Sequence, residues 1–195
     1  MKDMHSIEVT VNGRLHKIEV ESRRTLADVI RHDLGYTGTH LGCEHGICGA
    51  CTILLDGLPA RSCLLFGVQA DGCEVETVEG LESDGRLNPL QEAFSAHHGL
   101  QCGFCTPGFL MLATGFLREN LDPTEEEVRE AVSSNLCRCT GYQGIIEAVL
   151  DAASKPDRAE TAAADGAVGS EIPGGQAEGV SVDDVSFSGA GEANQ

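Results

Sequence analysis

Gln101-Cys102-Gly103-Phe104-Cys105-Thr106-Pro107-Gly108 and Asn135-Leu136-Cys137-Arg138-Cys139-Thr140-Gly141-Tyr142 bracket a stretch that holds four of the chain's nine cysteines, in two tight pairs. Thiols two or three positions apart can lie on the same side of a turn, and two such pairs set face to face make a four-thiolate cage. The chain between them is patterned to come back. Thr106-Pro107 predicts an N-cap with proline at the first helical position, and Phe109, Leu110, Leu112, Ala113, Phe116 and Leu117 carry a helix on to Asn120. Leu121-Asp122-Pro123 breaks it. Thr124-Glu125-Glu126-Glu127 then predicts a capping box, with Val128, Ala131 and Val132 on one face of a second helix. Two antiparallel helices would close the pairs into one metal site, for which spacing alone leaves both iron with sulfide and zinc open.

A second cysteine set lies upstream. Cys43, Cys48, Cys51 and Cys63 have the spacing Cys-x4-Cys-x2-Cys with a further cysteine beyond, the plant-type ferredoxin pattern for a 2Fe-2S cluster. Such a cluster with four thiolates is anionic, so the loop must wrap closely and aim N–H groups at the sulfurs. Gly42, Gly46 and Gly49, with small Ala50, permit that approach. A Rieske centre needs two histidines on one iron; Cys43-Glu44-His45 offers half of that and Cys48-Gly49-Ala50-Cys51 offers none. Zinc fits a bare Cys-x2-Cys, but the x4 spacing and the glycines favour iron and sulfur.

Around this loop the chain reads as a compact α+β unit. Ile7, Val9 and Val11 alternate with polar residues, Asn12-Gly13 signals a turn, and Leu15 to Val20 returns. Thr25 caps a short helix with Leu26, Val29, Ile30 and Leu34 on one face, ended by Gly35. The pattern then lapses from Tyr36 to Cys51, a loop long enough to need a functional reason. Thr52 to Leu55, Asp56-Gly57 and Leu58 to Ser62 form a hairpin that delivers Cys63. Cys73, the ninth cysteine, opens a strand running to Val78 and reads as a buried structural thiol. His40, His45, His97 and His98 lie near the cysteine segments and read as surface or supporting residues.

A boundary falls between Glu79 and Leu87, which divides the chain into residues 1–80 and 81–155. Beyond it Asn88 caps a helix with Pro89 in its first turn, reaching Gly99. A last helix spans Gln143 to Ser154, with Thr140 and Gln143 as a second capping box and Ile145, Ile146, Val149 and Leu150 as its apolar face. Four short helices around a cage predict a small bundle with a partly inorganic core. Residues 156–195, rich in Ala, Gly, Ser and acids, are expected to be disordered.

The net charge of −18 excludes a nucleic-acid footprint. Eight acids against Arg158 in the last forty residues leave −11 on the rest, so the folded part is itself acidic. That acidity reads first as solubility and second as steering toward a basic partner. No run approaches a membrane span, and the first residues lack an apolar targeting core, which predicts a cytoplasmic location. There, nine cysteines point to metal rather than disulfides. No nucleophile and base constellation, Gly-x-Gly-x-x-Gly or Walker loop is present, so no catalytic acid, base or nucleophile is assigned.

Taken together, Thr39-His-Leu-Gly-Cys-Glu-His-Gly-Ile-Cys-Gly-Ala-Cys-Thr52, Asp56-Gly57, Ser62-Cys63 and the two stretches quoted first resemble the small iron-sulfur subunit of the molybdenum hydroxylases. That family includes xanthine dehydrogenases, aldehyde oxidoreductases, aerobic carbon monoxide dehydrogenases and N-heterocycle dehydrogenases. The resemblance covers residues 5–154. It implies a ferredoxin-like β-grasp domain followed by a four-helix domain, each with one 2Fe-2S cluster. By the same resemblance Cys43, Cys48, Cys51 and Cys63 bind the cluster facing FAD, and Cys102, Cys105, Cys137 and Cys139 bind the cluster facing molybdopterin. Gln101 and Cys139 match positions that approach the pterin. The implied partners are a large molybdopterin subunit and a medium FAD subunit, in a dimer of heterotrimers, with electrons relayed from the first to the second. Leu65-Phe66-Gly67-Val68-Gln69-Ala70 is similar to wording in the carbon monoxide dehydrogenase branch. A free-standing two-cluster ferredoxin is the rival expectation, and a zinc adaptor a third.

Overall fold

The computed structural model describes residues 3–82 and 84–155; the expected disordered tail lies outside the described residues. Strands β1 (Met4–Val11) and β2 (Arg14–Glu21) pair antiparallel across Asn12-Gly13, both at positive φ, the mirror-image turn that suits strand twist. Strands β3 (Thr52–Leu55) and β4 (Leu58–Arg61) repeat the device at Asp56-Gly57. Strand β5 (Glu74–Glu76) runs between the hairpins, parallel to β1 and antiparallel to β3, so the mixed sheet has the order β2-β1-β5-β3-β4.

Helix α1 (Leu26–Asp28) lays Leu26 against this sheet, and Val29 and Ile30 follow from the next turn. These side chains are at most 1% exposed, and each contributes about 1.5–3 kcal/mol by leaving water. Thr25 caps α1 as expected, its hydroxyl accepting from Asp28 N–H. The helix then departs from expectation. It widens over Val29–Asp33, where Leu34 N–H reaches back five residues to the Val29 carbonyl, and yields to the loop at Gly35, φ +82°.

The other helices are α2 (Pro89–Ala96), α3 (Thr106–Glu119), α4 (Glu125–Ser133) and α5 (Gln143–Ser154). The mixed sheet with five helices agrees with the α+β expectation. Phe94 of α2, Phe109 of α3, Val128 and Val132 of α4, and Ile145, Ile146 and Val149 of α5 form a second buried core. Asn88 with Gln91, and Thr124 with Glu127, make the reciprocal caps. An ion pair joins the helices to the sheet: both guanidinium nitrogens of Arg118 on α3 donate to the Glu76 carboxylate on β5, at 2.5 and 2.8 Å.

Several expected boundaries move. The α2 helix stops at Ala96 because His97 leaves helical geometry and His98 turns to positive φ. The return strand ends at Arg61, and Ser62 already belongs to the turn that carries Cys63. Cys73 is neither in a strand nor fully buried. It follows the Asp71-Gly72 turn and is half-buried, while Ala70 and Val75 take the core positions. The anticipated box between Thr140 and Gln143 does not form: Tyr142 precedes α5 in a left-handed conformation without a side-chain cap, and Gln143 bonds Glu147 instead.

Candidate metal centres

The first site is built from the loop after α1. Arg31 pins its entry, its guanidinium donating at 2.6 Å to the carbonyls of both Thr37 and Thr39. Glu44, Gly46 and Gly49 at positive φ curl the chain so that its N–H groups face inward. The Cys43 sulfur accepts from Cys48 N–H at 3.2 Å and from His45 N–H at 3.4 Å. These two donors, Cys48 first, bring the Cys43 thiol down to about 6. Cys51 and Cys63 complete the set from the buried side, Cys63 following β4 and tied to Cys51 by Ser62, whose hydroxyl donates to the Cys51 carbonyl at 2.8 Å. Burial, and then the neighbouring Cys51 thiol, push Cys63 up to about 11.

The second site lies at the start of α3. The helix begins one residue earlier than expected, at Thr106, so Cys105 rather than Thr106 is the cap residue and Pro107 falls within the first turn. Burial, and then the adjacent Cys137 thiol, push Cys105 up to about 12. At Cys137 burial acts upward, but hydrogen bonds from the Thr140 hydroxyl and N–H and from Cys139 N–H outweigh it and leave the thiol below its usual range. Cys102 and Cys139 are exposed and face each other, and Gln101 beside them is exposed as well.

Among the described residues no group of three or more His, Cys, Asp or Glu side chains closes on a single ion. The thiols meet two by two: Cys43 with Cys48, Cys51 with Cys63, Cys105 with Cys137, and Cys102 with Cys139. Two thiols per iron is the demand of a 2Fe-2S cluster. The donor sets therefore fit the dinuclear group.

The two sites abut. Leu136 N–H, adjoining Cys137, donates to the Cys48 carbonyl at 2.8 Å, and the Asn135 amide donates to the Gly49 carbonyl at 3.3 Å. A Cβ on Gly108 of α3 would stand 2.3 Å from that same Gly49 oxygen. His40 stacks on Phe104, with ring centroids 5.0 Å apart, and its Nδ1 bonds the Phe104 carbonyl at 2.8 Å. His45 turns its ring to the Cys43 carbonyl, while the ring of His97 pairs with Asp151 of α5. Asn135, Thr140 and Tyr142 escape a sequence reading based on ligands and caps. The one available signal is a hydroxyl residue directly after the Cys-x-Cys pair.

Two family models match, a 2Fe-2S iron-sulfur cluster binding domain over residues 9–84 and a [2Fe-2S] binding domain over 77–150. The chain is 63% identical over 150 residues to the nicotine 6-hydroxylase small subunit of Paenarthrobacter nicotinovorans, covering 77% of this chain and 90% of that one. It is 56% identical over 148 residues to the caffeine dehydrogenase subunit gamma of Pseudomonas sp. strain CBB1, covering 74% and 89%. The crystal structure of quinoline 2-oxidoreductase from Pseudomonas putida 86 superimposes with a TM-score of 0.75 at 53% identity, over 77% of this chain and 94% of that one. The sheet and helices are thus a ferredoxin-like 2Fe-2S fold. No described helix is long and apolar enough to cross a membrane. The chain belongs to the small 2Fe-2S subunits of the molybdenum hydroxylases, the electron-transfer members of multi-subunit oxidoreductases.

Proposed function

We propose that this chain relays electrons from a molybdopterin centre on one partner subunit to FAD on another. Cys43, Cys48, Cys51 and Cys63 hold one 2Fe-2S cluster in a β-grasp domain, residues 1–80. Cys102, Cys105, Cys137 and Cys139 hold the other in a four-helix domain, residues 81–155. When bound, the clusters supply one-electron carriers whose potentials answer to sulfur hydrogen bonds, charge and exposure. The remaining roles belong to the protein. Cys139 and Gln101, both exposed, are placed to meet the pterin partner, and the Cys43 loop, with exposed Ile47 beside it, to meet the flavin partner. Cytoplasmic assembly with both, as a dimer of heterotrimers, completes the reading.

The observation that carries it is the contact between the sites. The Leu136 N–H to Cys48 carbonyl bond joins the two ligand segments directly, which suits a carrier that passes electrons internally. For substrate class we infer N-heterocycles, because nicotine, caffeine and quinoline appear in the names of the similar proteins.

Cys105→Ala tests the relay. Electron paramagnetic resonance of the reduced native complex is expected to show two distinguishable iron signals, with about four irons per chain from two dinuclear sites. The variant should lose one signal and keep the other. Zinc in place of iron, or elution of the native chain alone on size exclusion, would overturn the relay in favour of an adaptor or a free ferredoxin.

A further inference from the structure

We propose that Thr140 raises the reduction potential of the second site by donating its hydroxyl hydrogen to the Cys137 sulfur; this rests on Cys137 being a cluster ligand. Thr140 Oγ1 lies 3.0 Å from Cys137 Sγ, and Thr140 N–H points at the same sulfur from 3.4 Å. The direction of the hydroxyl bond follows from its other neighbour. Tyr142 N–H, which can only donate, gives its hydrogen to Thr140 Oγ1 at 3.1 Å. A ligating sulfur carries no proton, so the hydroxyl must be the donor. One residue thus directs two donors at one ligand.

The arrangement is held in place at a cost. Gly141 and Tyr142 are both left-handed, at φ +68° and +71°, a conformation that a bulky non-glycine residue rarely adopts. Tyr142 is kept there by its phenol, which accepts from Cys137 N–H at 2.9 Å and donates to the Asn135 carbonyl at 3.1 Å. Its ring also meets Phe109 edge to face, at 6.1 Å between centroids. This left-handed turn does not serve to cap α5 with a side chain, since α5 has none. Its consequence is to turn Tyr142 back over the link, its N–H onto Thr140 Oγ1 and its phenol onto Cys137 N–H.

The sign of the effect is electrostatic. Reduction adds one negative charge to the metal and sulfur unit, and a hydrogen-bond donor at a ligand sulfur stabilises the more negative state. Cys137 is only 7% exposed, so water screens this interaction weakly. Thr140 is therefore the tuning residue on the inner side of the second site.

The test is a redox titration of the assembled complex, followed by electron paramagnetic resonance, in native form and with T140V, T140A and T140S. Removing the hydroxyl in T140V should move one iron signal to lower potential, by roughly tenfold in the reduction equilibrium, about 59 mV for one electron. The other signal should stay in place, and T140S should restore the native value. If T140V does not assemble, T140A makes the same comparison with a smaller side chain. Unchanged midpoints in a hydroxyl-free variant that retains both signals would overturn the role of Thr140. A single signal in the native complex would instead overturn the two-cluster reading on which it rests.

Discussion

The two cysteine sites orient their sulfurs by different means. In the first, the donors are backbone N–H groups of the loop itself, and positive φ at Glu44, Gly46 and Gly49 turns them inward onto Cys43. In the second, Cys137 and Thr140 lie in the short link between α4 and α5, and the sulfur of Cys137 takes a side-chain hydroxyl from Thr140 as well as its N–H. Within each site a thiol held down by hydrogen-bond donors faces one pushed up by burial: Cys43, drawn down to about 6, stands with Cys63 at about 11, and Cys137, below its usual range, with Cys105 at about 12. The first loop meets its sulfur with backbone donors, and the second link adds a side chain.

The comparison breaks most completely where the sites touch. Gly108 has ordinary helical geometry within α3, and alanine is intrinsically the better helix former by about 1 kcal/mol. Its Cβ, however, would meet the Gly49 carbonyl oxygen at 2.3 Å and the Ala50 Cα at 3.1 Å, both backbone atoms that cannot swing aside. Gly108→Ala is therefore expected to destabilise the protein by about 3 kcal/mol, at the upper end of the overpacking class. Iron content and the two resonance signals should fall together. Loss of the second signal alone would show that the first loop folds without the contact.

Removing the metal sharpens the contrast next. In protein stripped of iron by a chelator, a thiol near 6 is a thiolate at pH 7 and one near 12 is not. The greater intrinsic nucleophilicity of a high-pKa thiolate offsets part of that difference. Iodoacetamide should thus label Cys43 on the order of a hundredfold faster than Cys105 at pH 7. Mass spectrometry of the labelled peptides across pH should place the half-maximal rate at Cys43 near pH 6. Equal labelling of both residues would mean that the loop donors are not preformed without metal.

The same contrast explains which features could be read in advance. Asn12-Gly13 and Asp56-Gly57 announced their turns because positive φ at both central residues demands those side chains. The caps at Asn88 and Thr124 were legible for a similar local reason. Cysteine spacing marked out the thiols that the structure brings together, since most of them are close in sequence. Thr140 looked like half of a helix cap because its sequence context is identical for that role, and only the third dimension shows Cys137 claiming the hydroxyl. Nor could spacing reveal Asn135 and Gly108, whose partners Gly49 and Ala50 are distant in sequence. Contacts between the halves leave no periodicity to read.

The smallest expected effect belongs to the helical half alone. Asp151 of α5 meets His97, just past α2, at 3.3 Å and Lys155 at 3.2 Å, while Glu147 faces the other ring nitrogen of His97 at 3.8 Å. Partial burial acts upward on the Asp151 carboxyl, but Lys155 and then His97 outweigh it, so its folded pKa lies below the ordinary 3.8. A carboxyl that holds its proton less firmly when folded stabilises the fold above about pH 4, and that contribution disappears as pH falls through the folded value. All three side chains are about one-third exposed, so the interaction is worth under about 1 kcal/mol. Asp151→Asn should lower the melting temperature of the helices, followed by far-ultraviolet circular dichroism, by about 1–3 °C at pH 7. The difference from the native protein should shrink as pH falls below about 4 and vanish once the carboxyl is protonated in the folded state. A deficit that persists in acid would assign the loss to packing of α2 on α5 rather than to charge, and would leave the first site, built on loop and sheet, untouched in either case.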